Sequence, residues 1–262
     1  MHLFLSPHFD DAVLSCGGLI ARLVQKGQTV TVRTVMGGSP TPGRVPDTPI
    51  IRDLHARWKA GDDPIQARIR EDEAAIMGLG AQVIRMTVWL DCVYRTNTQG
   101  KALYPSEESL FGAPHPDDRA AALLPTVVLP PDENVHFLYV PLGVGNHVDH
   151  QIVRAWGVAL GKQNSWVALK FYEEYPYTQD NGAIDKTLAH LSASHPPLRL
   201  EREIVPLSEM EVSAKLNAIR CYESQISTFW ADAAAMETAT RQAMNEAGGG
   251  QPAERYWNIV RN

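Results

Sequence analysis

Apolar residues follow two different periods at the start of the chain. The run HLFLS before Pro7 is short and apolar, which predicts a strand. Over residues 10–26 the apolar positions recur at helical spacing, and residues 29–38 (TVTVRTVMGG) are rich in β-branched residues. A strand, a helix and a second strand in this order predict a right-handed βαβ unit of a parallel sheet.

The same alternation runs through the rest of the chain, with long loops at residues 39–64 and 95–115. Further strands are predicted over residues 82–88, 136–141, 167–172 and 198–205. Further helices are predicted over residues 54–59, 65–79, 117–124, 148–161, 208–225 and 236–247. Because no clear linker or repeat interrupts this pattern, we expect one Rossmann-like α/β domain over residues 1–262, with a mostly parallel sheet flanked by helices.

Composition and charge argue against nucleic-acid-binding, membrane-spanning and disulfide-rich proteins. The formal net charge of −6 argues against a broad surface for nucleic acid or anionic membranes, so we expect neither partner. No apolar run approaches the roughly 20 residues of a membrane helix, and the apolar start is too short for a signal-peptide core. The three cysteines, Cys16, Cys92 and Cys221, are too scattered for a disulfide framework. We therefore expect a cytoplasmic protein without membrane insertion, and the sequence leaves a homo-oligomer open.

Two similar runs of histidine and aspartate stand far apart, SPHFDD near the start and APHPDD in the middle of the chain. The first lies between a predicted strand and a predicted helix, where open α/β sheets bind ligands. His8 and Asp11 are three residues apart and can hold one ion together, which leaves Asp10 for proton transfer. The second run follows a loop, so Asp117 or Asp118 is more simply the N-cap of the next helix.

A second strand-to-helix junction carries histidines at the same spacing. The segment VPLGVGNHVDHQ predicts a strand end, a glycine turn and a helix start, with His147 and His150 three residues apart. Two such junctions predict a metal site. Three protein ligands with an open position suit a catalytic zinc, and two histidines with one carboxylate also suit non-haem iron. Asp10 and His147 are then spare for proton transfer and oxyanion stabilisation, while Asp149 either orients a histidine or caps the helix.

At these residues the chain resembles the LmbE-like, or PIG-L, family of zinc-dependent N-acetylsugar deacetylases. The stretch SPHFDDAVLSCGG is similar to the family's His-Pro-Asp-Asp-Glu motif with its following glycines, and HVDH is similar to its His-Pro-Asp-His motif. The family pattern Arg-x-x-Glu-x-x-x-Ala-x-x-x-Leu-Gly is matched over residues 68–80. Lys215, Ala218, Ser224 and Gln225 match a lysine-containing helix that closes in Ser/Thr-Gln. The resemblance runs in order through most of the chain.

The resemblance implies a ligand set and a role for each neighbouring group. His8, Asp11 and His150 would bind Zn²⁺, with Fe²⁺ as the alternative ion. Asp10 would be the general base, and His147 would polarise the amide carbonyl or stabilise the tetrahedral intermediate. The reaction would remove an N-acetyl or other N-acyl group from a sugar, such as N-acetylglucosamine, or from a glycoconjugate, by metal-activated water.

The resemblance extends to two more positions, and the chain departs from the family motifs at three. Arg68 and Asp91 match positions that contact substrate in some relatives; their alternative interpretations are a surface charge on a helix and a loop-capping aspartate. Phe9 and Val148 replace the two prolines of the family motifs, and Ala12 replaces the usual glutamate. The first two changes alter loop stiffness, whereas Ala12 removes a carboxylate beside the site. All five implied metal and catalytic residues are present, so we expect an active enzyme.

Two other functions stay open. The pattern His8-x-Asp10 with a distant histidine also fits the facial triad of non-haem iron enzymes, although junctions between strands and helices are not the expected setting. A non-catalytic α/β small-molecule-binding domain is the second alternative, although the chain has no GxGxxG run for a nucleotide.

Two further segments each have two interpretations. Residues 89–116 are predicted to cover the substrate, and the alternative is that their aromatic residues pack the loop down. The groups suited to a sugar in this loop are Tyr94, Arg95, Asn97, Tyr104 and Phe111. Residues 236–262 contain a glycine run and then ERYWNIV, which packs either on the core or on a second subunit.

Overall fold

The computed structural model describes residues 1–130 and 133–260 of the chain. In these residues seven strands form one sheet: β1 (His2–Ser6), β2 (Val30–Thr34), β3 (Gln82–Arg85), β4 (Phe137–Pro141), β5 (Ala168–Tyr172), β6 (Leu200–Pro206) and β7 (Ala253–Ile259). Their order across the sheet is β3-β2-β1-β4-β5-β7-β6. The strands from β3 to β5 in this order pair in parallel, while β7 pairs antiparallel with β5 and β6. The predicted mostly parallel α/β sheet is confirmed.

Helices connect the strands and cover both faces of the sheet. In the described residues they are α1 (Asp11–Gln25), α2 (Pro49–Trp58), α3 (Pro64–Gly78), α4 (Glu107–Leu110), α5 (Arg119–Leu123), α6 (Val148–Gln163), α7 (Ala183–Ala193), α8 (Glu209–Ile219), α9 (Glu223–Phe229) and α10 (Ala233–Ala247). The sequence pattern had not shown α4 and α7, and it had placed the start of α2 too late. Within residues 1–130 and 133–260, no helix has the length and apolar character that a membrane crossing needs.

Two hydrophobic cores lie on the two faces of the sheet. Phe4 of β1 packs in the core that contains the apolar faces of α1, α3 and α8. Its neighbours Leu3 and Leu5 pack in the other core, with Trp156 of α6. Strands that are buried on both faces have continuous apolar sequences, which is why the run HLFLS was recognisable.

The strand order reverses at β1, which has β2 on one side and β4 on the other. At such a reversal the connecting helices leave in opposite directions, and a crevice opens beyond the carboxyl ends of the strands. The loops that follow β1 and β4 both begin at this crevice. The two predicted histidine-bearing junctions therefore meet in space, and the ring centres of His8 and His147 lie 4.9 Å apart.

The helix predicted over residues 208–225 was wrong, because the chain forms α8 and α9 with a break between them. The Tyr222 hydroxyl donates to Asp72 Oδ1 at 2.7 Å. The Ser224 N–H donates to Glu71 Oε1 at 3.0 Å. These contacts with α3 fix the chain at the break, and such tertiary contacts override helix propensity.

The segment ERYWNIV forms β7 inside the sheet, between β5 and β6. Its buried Glu254 accepts from the N–H groups of Gly18 and Leu19 at 2.9 and 3.0 Å and from Lys215 Nζ at 2.8 Å. These contacts tie the end of the chain to α1 and α8. The sequence analysis had considered residues 236–262 together, and of these residues 261–262 lie outside the described part of the chain.

Candidate active site

The turn between β1 and α1 holds three predicted site residues. Asp10 has a φ of 137°, a backbone conformation that non-glycine residues rarely adopt. Ser6 Oγ donates to the His8 carbonyl at 2.7 Å and accepts from the Ala12 N–H at 3.0 Å, which closes the turn. Backbone strain of this kind is concentrated at functional sites, so the position of Asp10 supports a functional role for the turn.

His8 and Asp11 face each other across this turn. Asp11 Oδ2 accepts from the His8 N–H at 2.8 Å and lies 3.2 Å from His8 Nδ1. The other ring nitrogen, Nε2, lies 2.9 Å from Asp149 Oδ2. When Nε2 donates to Asp149, Nδ1 has a free lone pair beside the Asp11 carboxylate. In a histidine that binds a metal ion, the other ring nitrogen usually donates to a carboxylate, a carbonyl or a water, and Asp149 is this partner for His8.

The second junction, between β4 and α6, bends sharply at Gly143, whose φ of 93° favours glycine. Its N–H and that of Val144 donate to the Glu174 carboxylate at 2.6 and 3.1 Å. The turn places His147 at the N-cap of α6, and His150 lies in the first turn of that helix. The buried Glu174 thus fixes the backbone that carries both histidines.

His150 is fully buried and repeats the arrangement of His8. Its Nδ1 lies 3.2 Å from Glu174 Oε1, and its Nε2 lies 3.4 Å from Asp11 Oδ1. In the described part of the chain, Nε2 has no hydrogen-bond partner, which is costly for a buried nitrogen unless another group binds it. Burial lowers the pKa of His150, but Asp11 and Glu174 outweigh it and raise the pKa to about 9. The surroundings of this nitrogen therefore favour a positive charge.

Donor atoms come together in two groups that lack His150, Cys92 with His147 and Asp149, and His8 with Asp91 and Asp149. Two other sets contain both His8 and His150, and in the set with Asp11 the carboxylate oxygens lie 3.2 Å from His8 Nδ1 and 3.4 Å from His150 Nε2. The third donor is Asp11, as the resemblance implies, or His147, since the three histidine rings bring nitrogens within 4.8 Å of one another. His147 Nδ1 accepts from the Asp149 N–H at 3.3 Å, so Nε2 carries the proton of the neutral ring. Burial and the nearby His8 and His150 keep the pKa of His147 well below its usual value. A neutral ring with a proton on Nε2 is a hydrogen-bond donor, which favours Asp11 as the third ligand.

Asp10 adjoins the same space. Its Oδ2 lies 3.7 Å from Arg68 Nη2. With the amide of Gln225 oriented so that its nitrogen faces Asp10, that nitrogen donates to Oδ2 at 3.2 Å. Burial and the adjacent Asp11 raise the pKa of Asp10 well above its usual range. A carboxylate with a raised pKa is suited to accept a proton near neutral pH.

Arg68 and Asp91 both line the cavity next to Asp10. Arg68 is buried, so its alternative interpretation as a surface charge was wrong. Its guanidinium carbon lies 4.5 Å from the ring centre of Trp58, and Nη2 donates to the Phe9 carbonyl at 3.2 Å. Asp91 accepts from the Val93 N–H at 3.2 Å, so it does cap its loop, and its other oxygen lies 3.9 Å from Arg68 Nη1.

Asp149 is fully buried and is not the N-cap of α6, because that cap is His147. Its carboxylate is 2.9 Å from both His8 Nε2 and the Cys92 N–H, and it pairs with Arg95. Burial alone would raise the pKa of Asp149, but the Arg95 guanidinium and His8 hold it far below its usual range. Asp149 is therefore ionised, and its contact fixes the ring of His8.

The second histidine–aspartate run supports the site from a distance. Asp118 caps α5 by accepting from the Ala120 N–H at 2.9 Å, as the sequence predicted for Asp117 or Asp118. The same carboxylate lies 3.0 Å from Arg95 Nη1 and accepts from the Tyr104 hydroxyl at 2.7 Å. Arg95 thus bridges Asp118 and Asp149.

A cavity of about 480 Å³ opens at the histidines. Its walls are mixed: the apolar part includes Ile50, Leu54, Trp58, Phe111 and Phe229, and the polar part includes Arg57 and Arg68 beside the candidate site residues. Two exposed carboxylates, Glu107 and Asp180, also line it. Neither makes an ion pair with any other residue that the structure describes. A cavity of this size suits a small molecule.

The loop over residues 89–116 contributes to this cavity only in part. The residues of this loop that line it are Asp91, Val93, Glu107, Leu110 and Phe111. Tyr94 is buried and its hydroxyl lies 2.7 Å from His55 Nε2, while Asn97 accepts from backbone N–H groups of its own turn. Tyr104 and Arg95 are also buried, in the ion-pair network of Asp118. Packing therefore accounts for most of the polar and aromatic groups that the sequence analysis had singled out in this loop.

Two contacts of the candidate site were not predicted from the sequence, although Gln225 had been matched to the Ser/Thr-Gln pattern. Glu174 lies just after β5, at the same edge of the sheet as the two histidine junctions, and that position is the signal that could have identified it. Gln225 was placed at the end of one long helix, so its approach to Asp10 depends on the break before α9. No sequence pattern indicated that break.

The fold and the site together define a class of protein: an open α/β sheet with a histidine–carboxylate cluster and a separate buried carboxylate at the ends of its parallel strands. The chain belongs to the PIG-L family, because residues 3–161 match the family described as GlcNAc-PI de-N-acetylase. The resemblance seen in the sequence is thereby confirmed.

Two curated deacetylases and one solved deacetylase structure are similar to this chain. The 2'-N-acetylparomamine deacetylase of Niallia circulans is 31% identical over 194 residues, which are 68% of this chain and 68% of that protein. The protein of the same name from Streptomyces fradiae is 28% identical over 230 residues, 85% of this chain and 72% of that protein. The zinc inhibited form of the teicoplanin deacetylase Orf2 shares the fold, with a TM-score of 0.78, 24% identity, and coverage of 99% of this chain and 98% of that chain.

Proposed function

We propose that this protein is a metal-dependent hydrolase that removes the N-acetyl group of an amino sugar or glycoconjugate. The observation that carries the proposal is the buried His150 Nε2, which faces Asp11 without a hydrogen-bond partner among the described residues. Membership of a de-N-acetylase family supports hydrolysis over the iron-oxygenase and binding-domain alternatives.

The proposed metal ligands are His8 Nδ1, the Asp11 carboxylate and His150 Nε2. Two nitrogens and one carboxylate suit Zn²⁺ and also Fe²⁺. Each histidine has a carboxylate at its other nitrogen, Asp149 at 2.9 Å and Glu174 at 3.2 Å, as is usual for histidines that bind a metal. A bound Zn²⁺ would lower the pKa of a coordinated water and polarise the amide carbonyl.

Amide hydrolysis needs a group that accepts and returns a proton and a group that donates a hydrogen bond. Asp10 is suited to the first role and His147 to the second. Asp10 accepts a proton from the attacking water and returns it to the leaving amine, and the burial that raises its pKa suits both steps. His147 carries a proton on Nε2 and donates a hydrogen bond to the oxyanion of the tetrahedral intermediate. Arg68 and Asp91 line the cavity beside Asp10 and are proposed to contact the sugar.

The cavity indicates the type of sugar. Ring faces of pyranoses pack on aromatic walls such as Trp58 and Phe111. Glu107 and Asp180 add two carboxylates that can pair with ammonium groups of the substrate. The curated relatives are named for 2'-N-acetylparomamine, whose amino groups are cationic at neutral pH. We therefore propose an N-acetylated aminoglycoside-like sugar in preference to a neutral N-acetylglucosamine.

The direct test is acetate release by the zinc-loaded protein from 2'-N-acetylparomamine and from N-acetylglucosamine. We expect release from the first substrate, and Asp10→Asn should lower kcat by about 10²- to 10⁴-fold without loss of metal. Asp117→Asn, in the other histidine–aspartate run, is the control with unchanged activity. No release from either substrate or from other N-acetylated sugars would overturn the proposal.

The double variant Glu107→Gln and Asp180→Asn tests the proposed preference for a cationic sugar. Exposed ion pairs contribute little binding free energy, so KM for the cationic substrate should rise by only about 3- to 10-fold. KM for a neutral N-acetylated sugar should not change. An equal rise for both substrates would show that the two carboxylates do not recognise ammonium groups.

We also propose a cytoplasmic location, which the three free cysteines Cys16, Cys92 and Cys221 support. A homo-oligomer and the extent of the domain over residues 1–262 stay predictions.

A further inference from the structure

Asp10 needs support from outside its own turn. Its backbone has a φ of 137°, and its carboxylate lies 3.7 Å from the nearest Arg68 nitrogen, beyond hydrogen-bond distance. The amide nitrogen of Gln225 is 3.2 Å from Asp10 Oδ2. Among residues 1–130 and 133–260, it is the one donor within hydrogen-bond distance of that carboxylate.

Arg68 fixes which end of the Gln225 amide faces Asp10. Arg68 Nε carries a proton and can only donate, and the Gln225 oxygen accepts from it at 3.2 Å. The amide nitrogen must then face the carboxylate of Asp10. Gln225 therefore bridges the proposed base and a buried guanidinium that is itself held by Trp58 and the Phe9 carbonyl.

The helix that carries Gln225 is held in place by Glu71. The Glu71 carboxylate accepts from the N–H of Ser224 at 3.0 Å and from its hydroxyl at 2.6 Å. Ser227 Oγ adds a second tie by donating to the Arg57 carbonyl at 2.6 Å. Glu71 and Arg68 are three residues apart on α3, so one face of this helix contacts both Ser224 and Gln225.

Two short sequence patterns, each of low specificity by itself, are therefore in contact in the folded protein. Arg68 and Glu71 belong to the Arg-x-x-Glu pattern, and Ser224 and Gln225 form the Ser-Gln pair at the start of α9. We propose that Gln225 is a positioning residue that holds the Asp10 carboxylate toward the attacking water, and that Glu71 acts through Gln225 by anchoring α9. This inference rests on the proposed function of Asp10.

The first test is the kinetics of Gln225→Leu, a variant of similar size without the amide. A displaced base should lower kcat by about 10- to 100-fold, with KM changed less than about twofold and metal content intact. Gln66→Leu makes the same side-chain change at an exposed position of α3 and is the control. A raised KM with unchanged kcat would overturn the inference, because Gln225 would then contact the substrate instead.

A double-mutant cycle tests whether Glu71 acts through Gln225. Glu71→Ala alone should lower kcat by about 10-fold, but it should lower kcat less than about twofold in the Gln225→Leu background. Effects that multiply would mean that Glu71 acts independently, and would overturn that part of the inference.

Thermal unfolding separates this inference from the proposed function. Because the Asp10–Gln225 hydrogen bond is lost, Gln225→Leu should lower Tm by about 2 to 4 °C, and by clearly less in the Asp10→Ala background. This readout needs no substrate. The same Tm shift in both backgrounds would overturn the placement of Gln225 even if acetate release is observed, and the predicted difference would support it even if no acetate is released.

Discussion

Each proposed histidine ligand faces the proposed metal position with one ring nitrogen and contacts a buried carboxylate with the other. Asp149 and Glu174 are both fully buried, and each also accepts from backbone N–H groups: Cys92 for the first, Gly143 and Val144 for the second. The carboxylates therefore couple the direction of each imidazole ring to the backbone of a neighbouring loop. Such contacts fix the tautomer and the orientation of histidines that bind a metal ion.

Glu174→Gln should weaken metal affinity by about 10- to 100-fold, because an amide cannot supply two anionic oxygens to His150 and to the turn at Gly143. Competition with a chelator of known affinity measures the effect. Glu173→Gln is the matched control, since the Glu173 carboxylate accepts from the Trp257 ring nitrogen at 2.9 Å and lies on the other side of the strand end. Equal affinity in wild type and Glu174→Gln would contradict the role of Glu174.

At the scale of elements, the position of His150 depends on how closely α6 packs on β4. Gly157 lies in the middle of α6, and a β-carbon added there would lie 2.3 Å from Cγ1 of Val140. Val140 is itself fully buried in the core, so it has little room to move. The close contact of the α6 backbone with β4 at Gly157 therefore determines how far the first turn of α6, which carries His150, extends into the site.

Gly157→Ala should therefore destabilise the protein by about 1 to 3 kcal/mol, through forced displacement of α6 or Val140. Gly78→Ala is the control, because a β-carbon at the end of α3 meets nothing within 4 Å. That variant should be neutral or more stable by up to about 1 kcal/mol. Urea denaturation of both metal-free variants measures the difference, and equal stabilities would contradict the packing described.

The elements also show what could be predicted. Strands β1, β2 and β4 and helices α1 and α6 followed from periodicity, because they are buried on defined faces and bounded by glycine and proline. The break before α9 and the pairing of β7 did not, because both depend on distant contacts: Tyr222 with Asp72, and Glu254 with Gly18 and Lys215. The proximity of His8, Asp11, His147 and His150 could be predicted because all four follow strand ends, whereas the choice of three ligands among them came from the family resemblance. Glu174 belongs to no motif recognised in the sequence, and the Ser-Gln pair that contains Gln225 did not indicate its contact with Asp10.

At the scale of the whole molecule, Asp72 links the sheet, α3 and the break before α9. Its carboxylate accepts from the Thr34 and Tyr222 hydroxyls, each at 2.7 Å. Burial raises the pKa of Asp72 from 3.8 to about 6, although both hydroxyls oppose the shift. Because the folded-state pKa is the higher one, the native protein binds this proton more tightly than the unfolded chain, and its contribution to stability is lost as pH rises through about 6.

Asp72→Asn should make the stability of the metal-free protein less dependent on pH. Between about pH 5 and pH 7 the wild type should lose roughly 1 to 1.5 kcal/mol of unfolding free energy that the variant does not lose. Urea denaturation at several pH values measures the two slopes. Glu73→Gln, on the exposed side of α3, should leave the wild-type slope unchanged. Parallel curves for wild type and Asp72→Asn would contradict the assignment.

The central claim is that the first histidine–aspartate run and α6 together bind one metal ion. It is tested most directly by the metal content of purified wild type, Asp11→Ala, His150→Ala and Asp117→Ala after addition and removal of excess zinc. We predict about one ion per chain in wild type and in Asp117→Ala, and a large loss in the other two variants. Metal retained in Asp11→Ala and His150→Ala, or lost in Asp117→Ala alone, would contradict the account.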